Sequence, residues 1–243
     1  MSPYYQHNGI TVYHGDCKAI LPELQNITVI VSDPPYGTQL DTDYTRFKGG
    51  VQRNRVYKPV IGDSDLFDPQ HLLKYKKVLL FGYSYFAQKV PPGTLLIWDK
   101  RFKNGSAFLA DGEVAWMKNW YNRIGPKTGG RGLYIFSLTQ QGFVRPEKDR
   151  FHPTQKPVAL MEWCIQKLRL EHRDVICDPY MGSGSTLVAA QNLGFQAIGI
   201  DVEQEYCDVA VERLRQVSLF GVGSLANNAM NADPKERGAK LAV

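Results

Sequence analysis

Cysteine is scarce in this chain, and the four that occur lie far apart. Cys17, Cys164, Cys177 and Cys207 form no Cys-x-x-Cys pair. That excludes a disulfide frame and a zinc site, and it predicts reduced, mostly buried thiols. None follows a proline in a loop, so no thiol nucleophile is on offer. Long apolar runs are missing too: no stretch reaches the roughly 18 residues that a membrane span needs. The start, Met1-Ser2-Pro3-Tyr4-Tyr5-Gln6-His7, lacks the basic region and apolar core of a secretory signal. The default expectation is therefore a cytoplasmic protein without a membrane partner. Internal repeats are also absent.

What is present suits one large α/β domain carrying an insert: 243 residues, 43% of them hydrophobic. The net charge of +5 is mild, and its distribution says more than its size. Val29-Ile30-Val31-Ser32-Asp33-Pro34-Pro35-Tyr36-Gly37 reads as a buried parallel strand running into a rigid loop. The carboxyl ends of such strands are where ligands sit in open α/β sheets. The loop presents acceptors and few donors, because Asp33 offers a carboxylate while Pro34 and Pro35 have carbonyls but no N–H. It suits a ligand group that only donates, such as an amine. Tyr36 adds a flat face for a planar ring. Taken alone, the same residues also fit a strand end with a tight proline turn.

Elsewhere the pattern predicts strands at Ile10 to His14, 78–81, 94–98, 113–118, 133–137, 175–177 and 196–200. Helices are predicted at 18–24, 68–77, 85–90, 157–170, 187–193 and 203–216. Val175 to Asp201 forms a strand, a Gly-x-Gly turn, a helix and a strand ending in an acid. That is the logic of a nucleotide-cofactor half-site, in which glycines admit the ligand and the acid binds ribose hydroxyls. The turn, Asp178-Pro179-Tyr180-Met181-Gly182-Ser183-Gly184-Ser185-Thr186, lacks the Gly-Lys-Ser/Thr ending of a P-loop and the full dinucleotide fingerprint.

Asp33-Pro34-Pro35-Tyr36, His152-Pro153-Thr154-Gln155-Lys156-Pro157 and the 178–186 turn, in that order, resemble the β-class amino-methyltransferases of DNA. Gly15-Asp16-Cys17 and 113–118 also look like segments of that family. Tyr180 stands where the family usually has Phe, and Ser185 where it has Thr; both changes keep the size class. The resemblance implies a circularly permuted Rossmann-like methyltransferase fold, a mostly parallel sheet flanked by helices, over residues 1–225. It implies S-adenosylmethionine as cofactor and an adenine N6 or cytosine N4 amine in duplex DNA as target. An aspartate in the first position goes mainly with adenine. The catalytic set would be Asp33, Pro34 and Tyr36, with no metal. Cofactor contacts would come from Asp16, Lys156, Asp178, Tyr180, Gly182, Ser183, Gly184, Ser185, Thr186 and Asp201. Lys156 would meet the cofactor carboxylate. For Asp16, capping of the following helix is nearly as good a reading.

Two basic segments match nothing in that family and fall within inserts at about 38–65 and 119–150. They carry Arg46, Lys48, Arg53, Arg55, Arg123, Lys127 and Arg131, interleaved with aromatic residues. Phosphate neutralisers beside stacking groups point to double-stranded DNA; a solvated basic face is the plain alternative. Residues 226–243 are small, polar and aperiodic, which predicts a disordered tail. Gln216-Val217-Ser218-Leu219-Phe220 resembles the short peptide by which bacterial proteins bind the replicative sliding clamp, although closing the core is the favoured role for Leu219 and Phe220. A homodimer is compatible with the chain. If the first insert grips phosphates, replacing Arg53 and Arg55 with Ala reduces the salt dependence of DNA affinity by about two units of slope. A fluorescence titration across salt concentrations reads this, and an unchanged slope makes both residues a solvated face.

Overall fold

The computed structural model describes residues 1–43, 58–101, 110–118, 132–139 and 154–219, with side chains as far as Gln216. Asn8 and Gly9 set the first turn. Both have positive φ, 47° and 78°, the backbone that a two-residue hairpin needs and that Asn-Gly adopts most easily. The turn joins β1 (Tyr5–His7) to β2 (Ile10–His14). β1 escapes the periodicity reading because Tyr-Gln-His shows no apolar alternation.

The chain continues through α1 (Cys17–Ile20), a 3₁₀ turn at Leu21–Glu23, β3 (Val29–Ser32), β4 (Lys77–Phe81) and α2 (Tyr83–Phe86). Next come β5 (Gly93–Asp99), β6 (Gly112–Lys118), β7 (Leu133–Ser137) and α3 (Val158–Lys167). β8 (Val175–Asp178), α4 (Ser185–Asn192), β9 (Gln196–Asp201) and α5 (Gln204–Leu219) follow. The strands form one sheet in the order β1-β2-β9-β8-β3-β4-β6-β5-β7. Pairing is parallel from β2 through β9, β8 and β3 to β4 and again between β5 and β7; β1–β2, β4–β6 and β5–β6 are antiparallel. The permuted order is visible in this topology. β3 comes early in the chain yet lies beside β8, which comes late.

All four residues of β3 and all five of β4 are buried, as expected of strands covered on both faces. Val29, Val31, Leu79 and Phe81 face a core shared with α3, α4 and α5. Ile30, Val78 and Leu80 face the opposite core, with Ile20, Phe67, Leu72 and Phe86. The four cysteines are free and buried.

The helix expected over residues 68–77 is not formed. The segment is a run of turns, with Leu72 N donating to Pro69 O at 2.8 Å and Tyr75 N to Leu72 O at 3.2 Å. Burial of Leu72 fixes the segment in these turns instead. α5 runs past its expected end, so the backbone of 216–219 is helical. Gln216 Nε2 donates to Glu212 Oε1 at 3.3 Å, one turn back along the same helix. Phe220 and the tail lie outside the described residues, and nothing among the described residues supports the clamp peptide or a second copy. No described helix is long and apolar enough to cross a membrane.

At the amino-terminal edge of the sheet, Lys77 Nζ meets Asp174 Oδ2 at 2.7 Å, both largely buried. Burial opposes ionisation of Asp174, yet the Lys77 ammonium and the Glu171 N–H outweigh it and hold the carboxyl below its ordinary value. A depressed carboxyl adds stability above its unfolded value near pH 4, and that stability drains away as pH falls further. Asp174→Asn therefore costs about 3 kcal/mol at pH 7 by removing the buried charge that Lys77 meets at 2.7 Å, and it weakens the acid dependence. Urea unfolding measures both, and an unchanged midpoint contradicts the assignment.

Candidate active site

β2, β9, β8 and β3 are mutually parallel, so their carboxyl ends open on one edge. There a cavity of about 680 Å³ is lined by Asp33, Pro34 and Tyr36 from one motif and by Asp178, Tyr180 and Gly182 from the other. Adjacent strands bring the motifs together: Ser32 Oγ, at the end of β3, donates to Asp178 Oδ1, at the end of β8, at 2.5 Å.

On the β3 side, Asp33 is held through both carboxylate oxygens. Oδ1 accepts from the Tyr36 hydroxyl and Oδ2 from the Lys156 ammonium. Burial raises the Asp33 carboxyl, and Lys156 pulls it back. Burial likewise lifts the Tyr36 hydroxyl well above its ordinary range, with Asp33 adding to the effect, so Tyr36 remains a donor. The Tyr36 ring stacks on Tyr85, centroids 4.9 Å apart and planes 16° from parallel. Gly82 makes room for that ring, since a Cβ there would lie 2.1 Å from Tyr36 Cε1. Past the loop, buried Asp63 accepts from Gly37 N at 2.7 Å and Thr38 N at 3.0 Å on one oxygen, and from Leu40 N at 2.7 Å on the other. The loop is thereby fixed at both ends.

Lys156 is not a solvated lysine. Its ammonium is buried between Asp33 and Glu113, with Glu113 Oε2 at 3.0 Å, at the wall of the cavity. Glu113 Oε1 in turn accepts from Lys100. Burial disfavours the Lys156 charge, but the two carboxylates raise its pKa and keep it protonated. Burial also works against Glu113, and Lys156 and Lys100 overcome it and hold the carboxyl well below its usual value.

On the β8 side several expected ligand-binding groups serve the loop itself. Asp178 accepts from Ser32, from Thr186 Oγ1 at 2.5 Å and from Tyr180 N at 3.2 Å. Its carboxylate frames the turn at the cavity wall, and burial pushes it up to about 6. Ser183 Oγ donates to Gln155 Oε1 at 3.1 Å, while Arg213 donates to the Ser183 carbonyl at 2.7 Å and to Ser185 Oγ at 3.2 Å. Gly184 lies against Ala210 of α5 and away from the cavity lining. Asp16 caps α1, accepting from Lys18 N at 2.9 Å, and also lines the cavity. Asp201 accepts from Gly182 N at 2.8 Å and Glu203 N at 2.9 Å and faces the same space.

Sequence reasoning missed Glu113, Lys100, Asp63, Tyr85 and His71. His71 Nδ1 sits 3.1 Å from the Asp68 carbonyl, which can only accept, so Nδ1 carries the proton and Nε2 accepts from the Tyr180 hydroxyl at 3.2 Å. The signals for Glu113 were a lone acid opening the apolar strand Gly-Glu-Val-Ala-Trp-Met and the likeness of 113–118 to a family segment; neither assigned it a role. Arg46, Lys48, Arg53, Arg55, Arg123, Lys127, Arg131 and His152 lie outside the described residues.

A family model described as DNA methylase, of the N6/N4 type, matches residues 74–212. The type II methyltransferase M2.DpnII of Streptococcus pneumoniae is 27% identical over 87% of this chain and 92% of its own length. M.HinfI of Haemophilus influenzae is 27% identical over 85% of this chain and 68% of its own. A shorter match, to M2.LlaDCHI of Lactococcus lactis subsp. cremoris, is 45% identical but spans 29% of this chain and 26% of that protein. Among solved structures, the M1.HpyAVI–SAM complex is 25% identical over 84% of this chain and all of its own, with a TM-score of 0.51. The cytosine-N4-specific PvuII DNA methyltransferase shares the fold, with a TM-score of 0.56 over 95% of this chain and 96% of its own, at 15% identity.

The framing role of Asp178 has a pH signature. A carboxyl raised to about 6 by burial costs stability as pH climbs from its unfolded value near 4 through 6, by up to about 3 kcal/mol. Asp178→Asn keeps an acceptor for the loop and removes that slope. Denaturant unfolding between pH 4 and pH 7 checks it, and identical slopes in the two proteins contradict it.

Proposed function

The chain belongs to the N6/N4 DNA methylase family, and from that premise we propose that it methylates the N6 amine of adenine in duplex DNA, with the target base flipped out of the helix. Methyl transfer to a DNA amino group with S-adenosylmethionine is the chemistry of the family. The observation that carries the finer reading is the shared cavity, in which a donor-seeking Asp33 loop stands beside a glycine turn and an acid.

The residues present fit the cofactor. Asp16 and Asp201 supply carboxylates for sugar hydroxyls, the Gly182 region gives backbone access, and Phe67, Leu66 and Ile61 offer apolar wall in the same cavity. When bound, S-adenosylmethionine supplies a sulfonium methyl group, which is strongly electrophilic. The work left to the chain is to make the amine a nucleophile. An adenine amine is weakly nucleophilic because its lone pair is shared with the ring. Asp33 and the Pro34 carbonyl, by accepting its two hydrogens, favour tetrahedral nitrogen with a free lone pair. Positive charge grows on that nitrogen during transfer, so fixed acceptors stabilise the transition state more than the ground state. Each Asp33 oxygen already accepts one hydrogen bond and has a second lone-pair direction left for the amine. Asp33 then stands ready to take the proton that nitrogen sheds. Tyr36 presents its ring to the flipped base from the Tyr85 stack.

Residues 1–225 are proposed as the methyltransferase domain, with the inserts at 38–65 and 119–150 facing DNA. Adenine is favoured over cytosine by the acid at position 33. The test is to supply labelled cofactor and mixed-sequence duplex DNA, digest to nucleosides and identify the modified one by mass spectrometry. N6-methyladenine is expected; N4-methylcytosine would assign the other amine. Asp33→Ala abolishes transfer while cofactor affinity stays within a few-fold, and Asp201→Ala weakens cofactor affinity first. Near-normal turnover in Asp33→Ala, or unchanged cofactor binding in Asp201→Ala by calorimetry, contradicts these roles.

A further inference from the structure

Behind Asp33 runs a chain of alternating charges that the transfer described above does not itself use. Lys156 lines the cavity, whereas Glu113 and Lys100 do not. Lys156 Nζ joins Asp33 to Glu113, and Glu113 joins Lys156 to Lys100. Four separate segments meet there: the loop after β3, the residue that follows β5, the start of β6 and the approach to α3. Two cations and two anions balance, which makes their burial tolerable.

We propose that Glu113 and Lys156 are positioning residues for methyl transfer, holding Asp33 as an anchored acceptor through an ammonium shared by two carboxylates. The proposal rests on Asp33 being the amine acceptor. A lysine stem is long and flexible, with several rotatable bonds, and one partner does not fix it. A second carboxylate on a sheet strand does. The Phe81 ring, 5.2 Å from Nζ, and the Tyr36 ring, 6.0 Å away, wall the ammonium in. Lys156 thus fixes Oδ2 of Asp33 while the Tyr36 hydroxyl fixes Oδ1, and the orientation of the carboxylate at the cavity wall is set before any substrate arrives. Preset alignment of this kind is worth large factors in rate.

The two residues push Asp33 in opposite electrostatic directions. The groups that face it are the Lys156 ammonium, the Glu113 carboxylate and the Tyr36 hydroxyl, with Asp178 across on β8, Lys100 behind Glu113 and Tyr85 behind Tyr36. Removing the Glu113 charge relieves repulsion and lowers the Asp33 pKa. Removing the Lys156 charge leaves burial unopposed and raises it. A pair that merely held β6 in place would produce no such opposed shifts.

The experiment compares the full-length protein with Glu113→Gln, Glu113→Asp, Lys156→Met and the charge-balanced double variant Glu113→Gln/Lys156→Met. Single-turnover methyl transfer is measured against pH, and the Asp33 carboxyl is titrated by carbon-13 NMR, assigned by its loss in Asp33→Asn. Glu113→Gln is expected to slow transfer roughly ten- to hundred-fold at saturating cofactor and DNA, with the cofactor Kd within a few-fold. Its Asp33 titration moves down and that of Lys156→Met moves up, each by about a unit or more. Glu113→Asp recovers part of the rate. If Lys156→Met does not fold, Glu113→Gln and the double variant carry the comparison. Unchanged transfer in Glu113→Gln, or lost stability with unchanged rate and titration, overturns the proposal. Opposed NMR shifts in a protein that transfers no methyl group would keep the electrostatic coupling and refute the functional reading on which its catalytic purpose rests.

Discussion

One ammonium group holds the site together. Lys156 reaches from the segment before α3 to the carboxylate that ends β3 and to a second carboxylate on β6. A buried cation with a single anion would be costly and loosely placed; between two carboxylates, with Lys100 completing the neutral set, it becomes a fixed point. The loop after β3 is therefore held by its own charged and polar partners. Asp63 supplies the second constraint, holding the exit of the same loop through three backbone N–H groups. Loop and cavity wall are thus set by charge placement as much as by apolar packing.

The sheet then decides what lies next to that fixed loop. Parallel pairing of β3 with β8 puts the end of one strand beside the end of the other. The Ser32–Asp178–Thr186 hydrogen bonds lock the two ends together. The proposed amine site and the proposed cofactor site consequently share one space. In the proposed function, that adjacency joins two short motifs, each weak by itself, into one site for moving a group between two ligands.

Much of this was legible in the sequence, and the failures have physical causes. The run Val29 to Ser32, the Gly-rich turn and the acid at 201 are local patterns, and each became the element it suggested. Position alone could not tell which polar groups of the turn face the cavity. Asp178, Thr186, Ser183 and Ser185 look like ligand contacts in a linear motif and do line the cavity, but the motif does not show that each also hydrogen-bonds within the protein. Lys156 and its partner Asp33 are 123 residues apart, and Glu113 sits on a different strand again. No local periodicity records such a meeting. The turns at 70–75 looked helical because Leu72 and Leu73 are spaced among polar residues, yet burial of Leu72 against Phe67 and Phe86 decided the backbone.

The central claim is that an amine held by Asp33 and a cofactor held at Asp201 occupy one continuous site. A bisubstrate ligand tests this most directly: adenosine joined through its N6 nitrogen to the methionine portion of the cofactor, titrated by calorimetry beside the demethylated cofactor. Occupying both halves at once should bind at least about ten-fold more tightly than the demethylated cofactor, and Asp33→Ala should erase that gain while leaving the simpler ligand unaffected. Equal affinity of the two ligands for the unmodified protein would mean that the two halves do not work as one site.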